Sequence, residues 1–152
     1  MAQILDQFAV TPLKAVVRNA DKGQRYDVQN LGTADLVPGD VVKLKDVAGD
    51  TIAVEKITAT TDLPCGMVEY ESAKGNLYHT KDMLTIASDY SIITCEASAA
   101  ISAGAKVMPV IAGQKVAAAT ATNYAIGIAL NKATANGDII RVLLQKPEKV
   151  AG

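Results

Sequence analysis

The chain of 152 residues contains no tryptophan, a single phenylalanine (Phe8) and a single histidine (His79). Aromatics make up only 4% of it, so a core must be assembled from Val, Ile, Leu and Ala. Small aliphatic side chains bury little area per residue, and a domain built from them gains from association with other subunits. Sugar-stacking surfaces and single-strand nucleic-acid platforms need clustered aromatics. Tyr26, Tyr70, Tyr78, Tyr90 and Tyr124 are scattered and do not interleave with basic residues. A Ser-His-Asp or Cys-His arrangement would have to use His79, whose neighbours Tyr78 and Thr80 form no known motif, and it reads as a loop or surface histidine. One His with two distant cysteines, Cys65 and Cys95, falls short of a zinc set. There is no Asp-x-Asp-x-Asp calcium run and no phosphate-cradling Gly-rich loop. The sequence therefore assigns no catalytic, cofactor-binding or metal residue. The chain is expected not to be an enzyme and to need no cofactor.

Charge is equally uninformative about chemistry. With 15 Lys and Arg against 16 Asp and Glu, the formal net charge is −1, which makes nucleic acid a poor partner. Lys14, Arg18, Lys22 and Arg25 form a mild basic stretch, read as a solvated arm, with contact to an acidic protein surface as the sharper alternative. Cys65 and Cys95 read as free thiols, a disulfide being open only if their strands lie side by side. No apolar run approaches membrane-spanning length, and residues 1–7 lack the basic and apolar regions of a secretory signal. The expectation is a protein made and folded in a cytoplasm, with no membrane partner.

What is present is a phrase used three times: Leu36-Val37-Pro38-Gly39-Asp40-Val41-Val42, Ile101-Ser102-Ala103-Gly104-Ala105-Lys106-Val107 and Ala135-Asn136-Gly137-Asp138-Ile139-Ile140. In each, a glycine turn feeds an apolar, largely β-branched run, the pattern of a turn entering a strand. Pro38-Gly39 suits the central positions of a type II turn. Asp40 and Asp138 read as turn-closing carboxylates bonding nearby amides, against the alternative of a functional pair at equivalent positions of a repeat. Strands are expected over 25–29, 41–44, 51–57, 65–70, 81–87, 90–96, 107–111, 115–119, 123–130 and 138–145. Pro109 marks an edge or bulge, and Gly127, inside its strand, marks a bulge or close backbone approach. The fold class is all-β, a single-domain barrel or sandwich over 21–146. Residues 1–20 read as an extended arm and 147–152 as a frayed tail.

The order of elements from Ile101 to Leu144 resembles the C-terminal half of tailed-phage capsid decoration (cement, head-stabilising) proteins. The likeness rests on Gly104-Ala105-Lys106-Val107, Tyr124-Ala125-Ile126-Gly127-Ile128-Ala129 and Gly137-Asp138-Ile139-Ile140-Arg141-Val142-Leu143-Leu144. Pro38-Gly39-Asp40-Val41-Val42 is similar to that family's opening turn, whereas residues 58–95 carry none of its motifs. The resemblance implies a β-clip or β-tulip-like fold and a homotrimer on the outer surface of the virion head. It implies the major capsid protein as partner and brings no catalytic residues. It also implies an N-terminal arm that orders on the shell, with Phe8, Val10 and Leu13 as apolar anchors and Lys14 and Arg18 pairing with acidic groups. Two alternatives stay open. One is a head-fibre or other virion attachment domain. The other is a SAF-like β-clip ligand-binding module, whose enzymes would need a charged or His substrate cluster.

Overall fold

The computed structural model describes residues 23–71 and 76–152. The N-terminal arm and the Lys74-Gly75 turn signal lie outside them. Ten strands follow one another among the described residues, with no helix: β1 (Arg25–Asn30), β2 (Val41–Leu44), β3 (Ala53–Lys56), β4 (Gly66–Val68), β5 (Met83–Ala87), β6 (Ile92–Ala97), β7 (Lys106–Val110), β8 (Lys115–Ala118), β9 (Tyr124–Ala129) and β10 (Ile139–Lys149). The all-β expectation holds. Of the strand expected over 81–87, Met83–Ala87 forms β5, and Lys81 and Asp82 belong to the turn before it.

The strands close into two five-stranded barrels, ordered β1-β3-β2-β4-β5 and β6-β8-β7-β9-β10. The second repeats the first. β1 runs parallel to β3 as β6 does to β8, and every other neighbouring pair in both barrels is antiparallel. The loops repeat as well. Leu36 bridges Tyr78 as Ile101 bridges Ala133. The amide of Gly39 donates to Val68 O, and that of Gly104 to Ala129 O. The amide of Lys81 donates to Asn30 O, and that of Gly137 to Ala97 O. Two of the three glycine phrases are thus the same turn in successive barrels. The third, Asn136-Gly137-Asp138, matches Thr80-Lys81-Asp82 before β5. There Lys81 takes the left-handed φ (78°) that Gly137 takes (97°) in the second copy. A lysine in the glycine's place hid the fourth phrase from the sequence.

Period-2 alternation decides which side chains point inward. In β6 the buried positions are Ile93, Cys95 and Ala97. The first barrel is filled by Val28, Leu36, Val42, Val54, Val68, Tyr78, Leu84 and Ile86. The second has Ala133 where the first has Tyr78, and Ala129 where it has Val68. Its core is completed from outside: Val41, Ile57, Met67 and Ala87, on the outer face of the first barrel, join Ile93, Ile126, Ile140, Val142 and Leu144 in one cluster. The barrels therefore share a core.

Two local expectations change. β10 runs through Lys149, into the tail expected over 147–152: after a register shift Glu148 pairs with Ala125 and Lys149 with Tyr124. β7 is no edge strand, since it pairs with β8 and β9. On the β9 side, however, the ladder covers only Lys106 and Val107, so Pro109 falls beyond it, where its missing N–H costs nothing. The reading of Gly127 as a close approach holds. A Cβ there would overlap the Leu143 carbonyl oxygen, and one at its counterpart Gly66 would sit 2.7 Å from the Ala87 carbonyl oxygen. Both glycines let β9 and β4 press against the backbone of the neighbouring strand. Gly127→Ala should lower stability by about 2 kcal/mol, the cost of overpacking against rigid backbone. Urea denaturation would measure it, and an unchanged midpoint would contradict the close approach.

Candidate functional site

The chemistry-bearing residues do not converge. His79 lies on the turn before β5, its side chain 62% exposed. Its amide donates to Asp82 Oδ2 at 2.8 Å, and its Nδ1 lies 3.0 Å from Asp35 Oδ1, a hydrogen bond that raises its pKa. This is the surface histidine expected. Cys95 is buried in the shared core and Cys65 is half-buried below β4. Both thiols are free, and burial pushes them up to about 12 and about 11. Among the described residues no three His, Cys, Asp or Glu side chains come close enough to hold a metal ion.

Asp40 and Asp138 both close turns, but they are not counterparts. Asp138 accepts from the Thr134 and Ala135 amides and the Thr134 hydroxyl, and the Thr134 amide does most to hold its carboxyl below the usual range. Its counterpart is Asp82. Asp40, whose counterpart is Ala105, is buried and does more. Its Oδ2 accepts from the Val37 amide at 2.9 Å. Its Oδ1 takes Lys56 Nζ at 2.9 Å and, across the barrel boundary, Gln114 Nε2 at 3.1 Å. Gly39, with φ of 93° as the type II turn requires, lets Gln114 lie directly on the turn, since a Cβ on it would sit 2.8 Å from Gln114 Cβ. Thr60 adds a second polar tie by donating to Asn123 Oδ1 at 2.6 Å. The sequence marked Asp40 as a turn residue; its partner Gln114 carried no signal.

A second buried carboxylate follows β4, next to Val68, whose backbone pairs with Gly39 and Asp40. Glu69 is 1% exposed and accepts from Arg25 Nε at 2.7 Å through Oε2, while its Oε1 has no hydrogen-bond partner among the described residues. Burial raises its pKa against the pull of Arg25. Arg25 therefore serves a buried partner and does not extend the basic stretch. The cleft between the barrels is walled by Val41, Pro64, Met67, Ile126, Leu144 and Pro147 together with Ser88, Asp89 and Gln145, and its open surface is mostly apolar. What the surface does offer is exposed apolar side chains, among them Tyr90 and Leu63, Leu44 and Ile52 flanking the β2–β3 hairpin loop, and Leu130 with Ile139 at the start of β10. The predicted anchors Phe8, Val10, Leu13, Lys14 and Arg18 lie outside the described residues.

Two comparisons speak to what such a molecule is. Residues 9–144 match the family model of the XM1 gp53 minor capsid protein, a match that crosses both barrels. The chain belongs to this family. It is a phage structural protein of the capsid, which agrees with the resemblance drawn from its turns. Among solved structures it is similar to the head fiber gp8.5 N base of bacteriophage phi29. That similarity has a TM-score of 0.54 and 10% identity, and spans 82% of this chain and 98% of that one. At such identity the likeness is one of fold. No curated protein matches the sequence.

Two predictions concern the buried carboxylates of this minor capsid protein. Asp40→Ala strands the Val37 amide, Lys56 and Gln114 together. It should cost about 2–3 kcal/mol by urea denaturation, the range for hydrogen bonds to a charged group. Glu69 has a folded-state pKa raised above its unfolded value. Its contribution is therefore full below the ordinary carboxylate range and declines as pH rises through the raised pKa. Glu69→Gln should flatten that part of the pH–stability curve, whereas an unchanged slope would show that the carboxyl is not desolvated.

Proposed function

We propose that this protein is a decoration protein that binds the outer surface of an assembled phage head and cements it. It acts there as a homotrimer seated on the major capsid protein and has no enzymatic activity. The observation that carries the reading is the family match across both barrels, taken with a surface that offers exposed apolar side chains. Cementing requires many identical contacts of modest strength, and linking copies raises their effective concentration at the shell. Residues 1–20 supply the arm that orders on the shell. Phe8, Val10 and Leu13 are its anchors, and Lys14 and Arg18 its partners for acidic groups.

A second reading has its own observation. The phi29 neighbour is the base of a head fibre and is spanned almost completely by this fold, which favours an attachment base on the same surface. Co-sedimentation separates the readings. Purified protein is mixed with expanded heads that lack it and with unexpanded proheads, and the heads are then challenged by heat. A cement protein binds expanded heads saturably and raises the temperature at which they lose DNA, and a chain lacking residues 1–20 does neither. A fibre base binds without raising that temperature. Binding to neither particle overturns both.

A further inference from the structure

The duplication makes one interface of the molecule predict another. Inside the chain, the β7–β8 hairpin of the second barrel seats on the glycine turn of the first. Pro109, Ile111 and Gln114 face Gly39, Asp40, Val41, Lys56 and Ile57. This contact joins different surfaces of the two repeats, so each barrel has one counterpart left over. Among the described residues, nothing of the second barrel packs beneath the first barrel's own hairpin, β2–β3. Its Leu44 and Ile52, at the positions of Pro109 and Gln114, are 64% and 45% exposed. The second barrel's own glycine turn, Ser102-Ala103-Gly104, is exposed, and a Cβ on Gly104 would meet nothing within 4 Å among the described residues. In the first barrel the same turn positions are Val37, half-buried, and Pro38 and Gly39, both buried.

The residue exchanges at these leftover surfaces are matched. Within the chain, Gln114 donates to Asp40. The counterparts of that pair are Ile52 and Ala105: donor and acceptor have both become apolar, one on each leftover surface. Had only one changed, a buried polar group would be left unsatisfied. Lys56, which neutralises Asp40, likewise has exposed Ala118 as its counterpart, while the place of Val41 is taken by Lys106, whose Nζ is held by Glu148 Oε2 at 2.9 Å. The hairpin loop is longer on the free side, 45–52 against 111–114.

We propose that the β2–β3 hairpin of one copy docks on the Ser102–Ala105 turn and the adjoining Ala118 face of a second copy of this chain, repeating between chains the contact that joins the barrels within one. Such a contact is heterologous, using different patches on the two copies, and it propagates head to tail until the rotation closes a ring. It depends on the reading above only for the association of copies, and it stands whether or not the protein binds a capsid.

The test uses two full-length variants, Ile52→Asp on the hairpin and Ala118→Asp on the receiving face, both at exposed positions. Light scattering should show wild type at a multiple of 15.8 kDa and each variant as a monomer with an unchanged circular dichroism spectrum and melting temperature. An equimolar mixture of the two should give a one-to-one complex, because one retains the hairpin and the other the turn face. As a check independent of assembly-breaking variants, Ile52→Cys combined with Ala105→Cys in one chain should form interchain disulfides on mild oxidation, and either substitution alone should not. A monomeric wild type, variants that assemble like it, or a mixture that stays monomeric overturns the proposal. Failure to bind heads with association intact overturns only the capsid reading.

Discussion

Val41, Ile57, Met67 and Ala87 point out of the first barrel and into the core of the second, and most of the architecture depends on that transfer. A five-stranded barrel made from small aliphatic residues is too small to bury much area by itself. The second barrel shows this most clearly, with alanines at positions where its twin carries Tyr78 and Val68. Covering Val41, Ile57 and Met67 contributes on the order of 1.5–3 kcal/mol each. Together that is comparable to the whole stability of a small domain. The polar ties at Asp40–Gln114 and Thr60–Asn123 fix the register of this apolar contact and do not drive it.

The same contact sets the asymmetry of the molecule. A two-fold pairing of the barrels would bury equivalent patches and leave none over. The head-to-tail packing seen here buries the hairpin of one repeat on the turn of the other, so the hairpin of the first barrel and the turn of the second are left exposed as unequal surfaces. A protein that works by joining copies of itself, or by joining itself to a shell, needs surfaces of this kind more than it needs a pocket.

Much of the local structure was legible because turns and strands write themselves into short stretches of chain. Pro38-Gly39, Gly104 and Gly137 mark positive-φ positions, and the alternation in 92–97 reads directly as an inward face. The close approach at Gly127 could be read because a glycine inside a strand has few other uses. The duplication was not legible. Its two copies share backbone hydrogen bonds but few side chains, Tyr78 answering to Ala133 and Lys81 to Gly137. A barrel constrains inward volume and turn geometry far more than identity. The tail also escaped notice, because Lys146 to Lys149 join β10 through a register shift that no side-chain pattern announces. The role of Asp40 was half visible, as its turn is local and its partner Gln114 is a long-range contact.

The central claim is that this capsid-family protein presents its paired barrels on the outside of the head. Cryo-electron microscopy of heads saturated with the full chain tests it most directly. The account predicts outer-surface density that resolves both barrels of each copy, with residues 1–20 continuing from the first barrel onto the shell. Density confined to the inner surface, or an outer-surface map in which the two barrels separate, would contradict it.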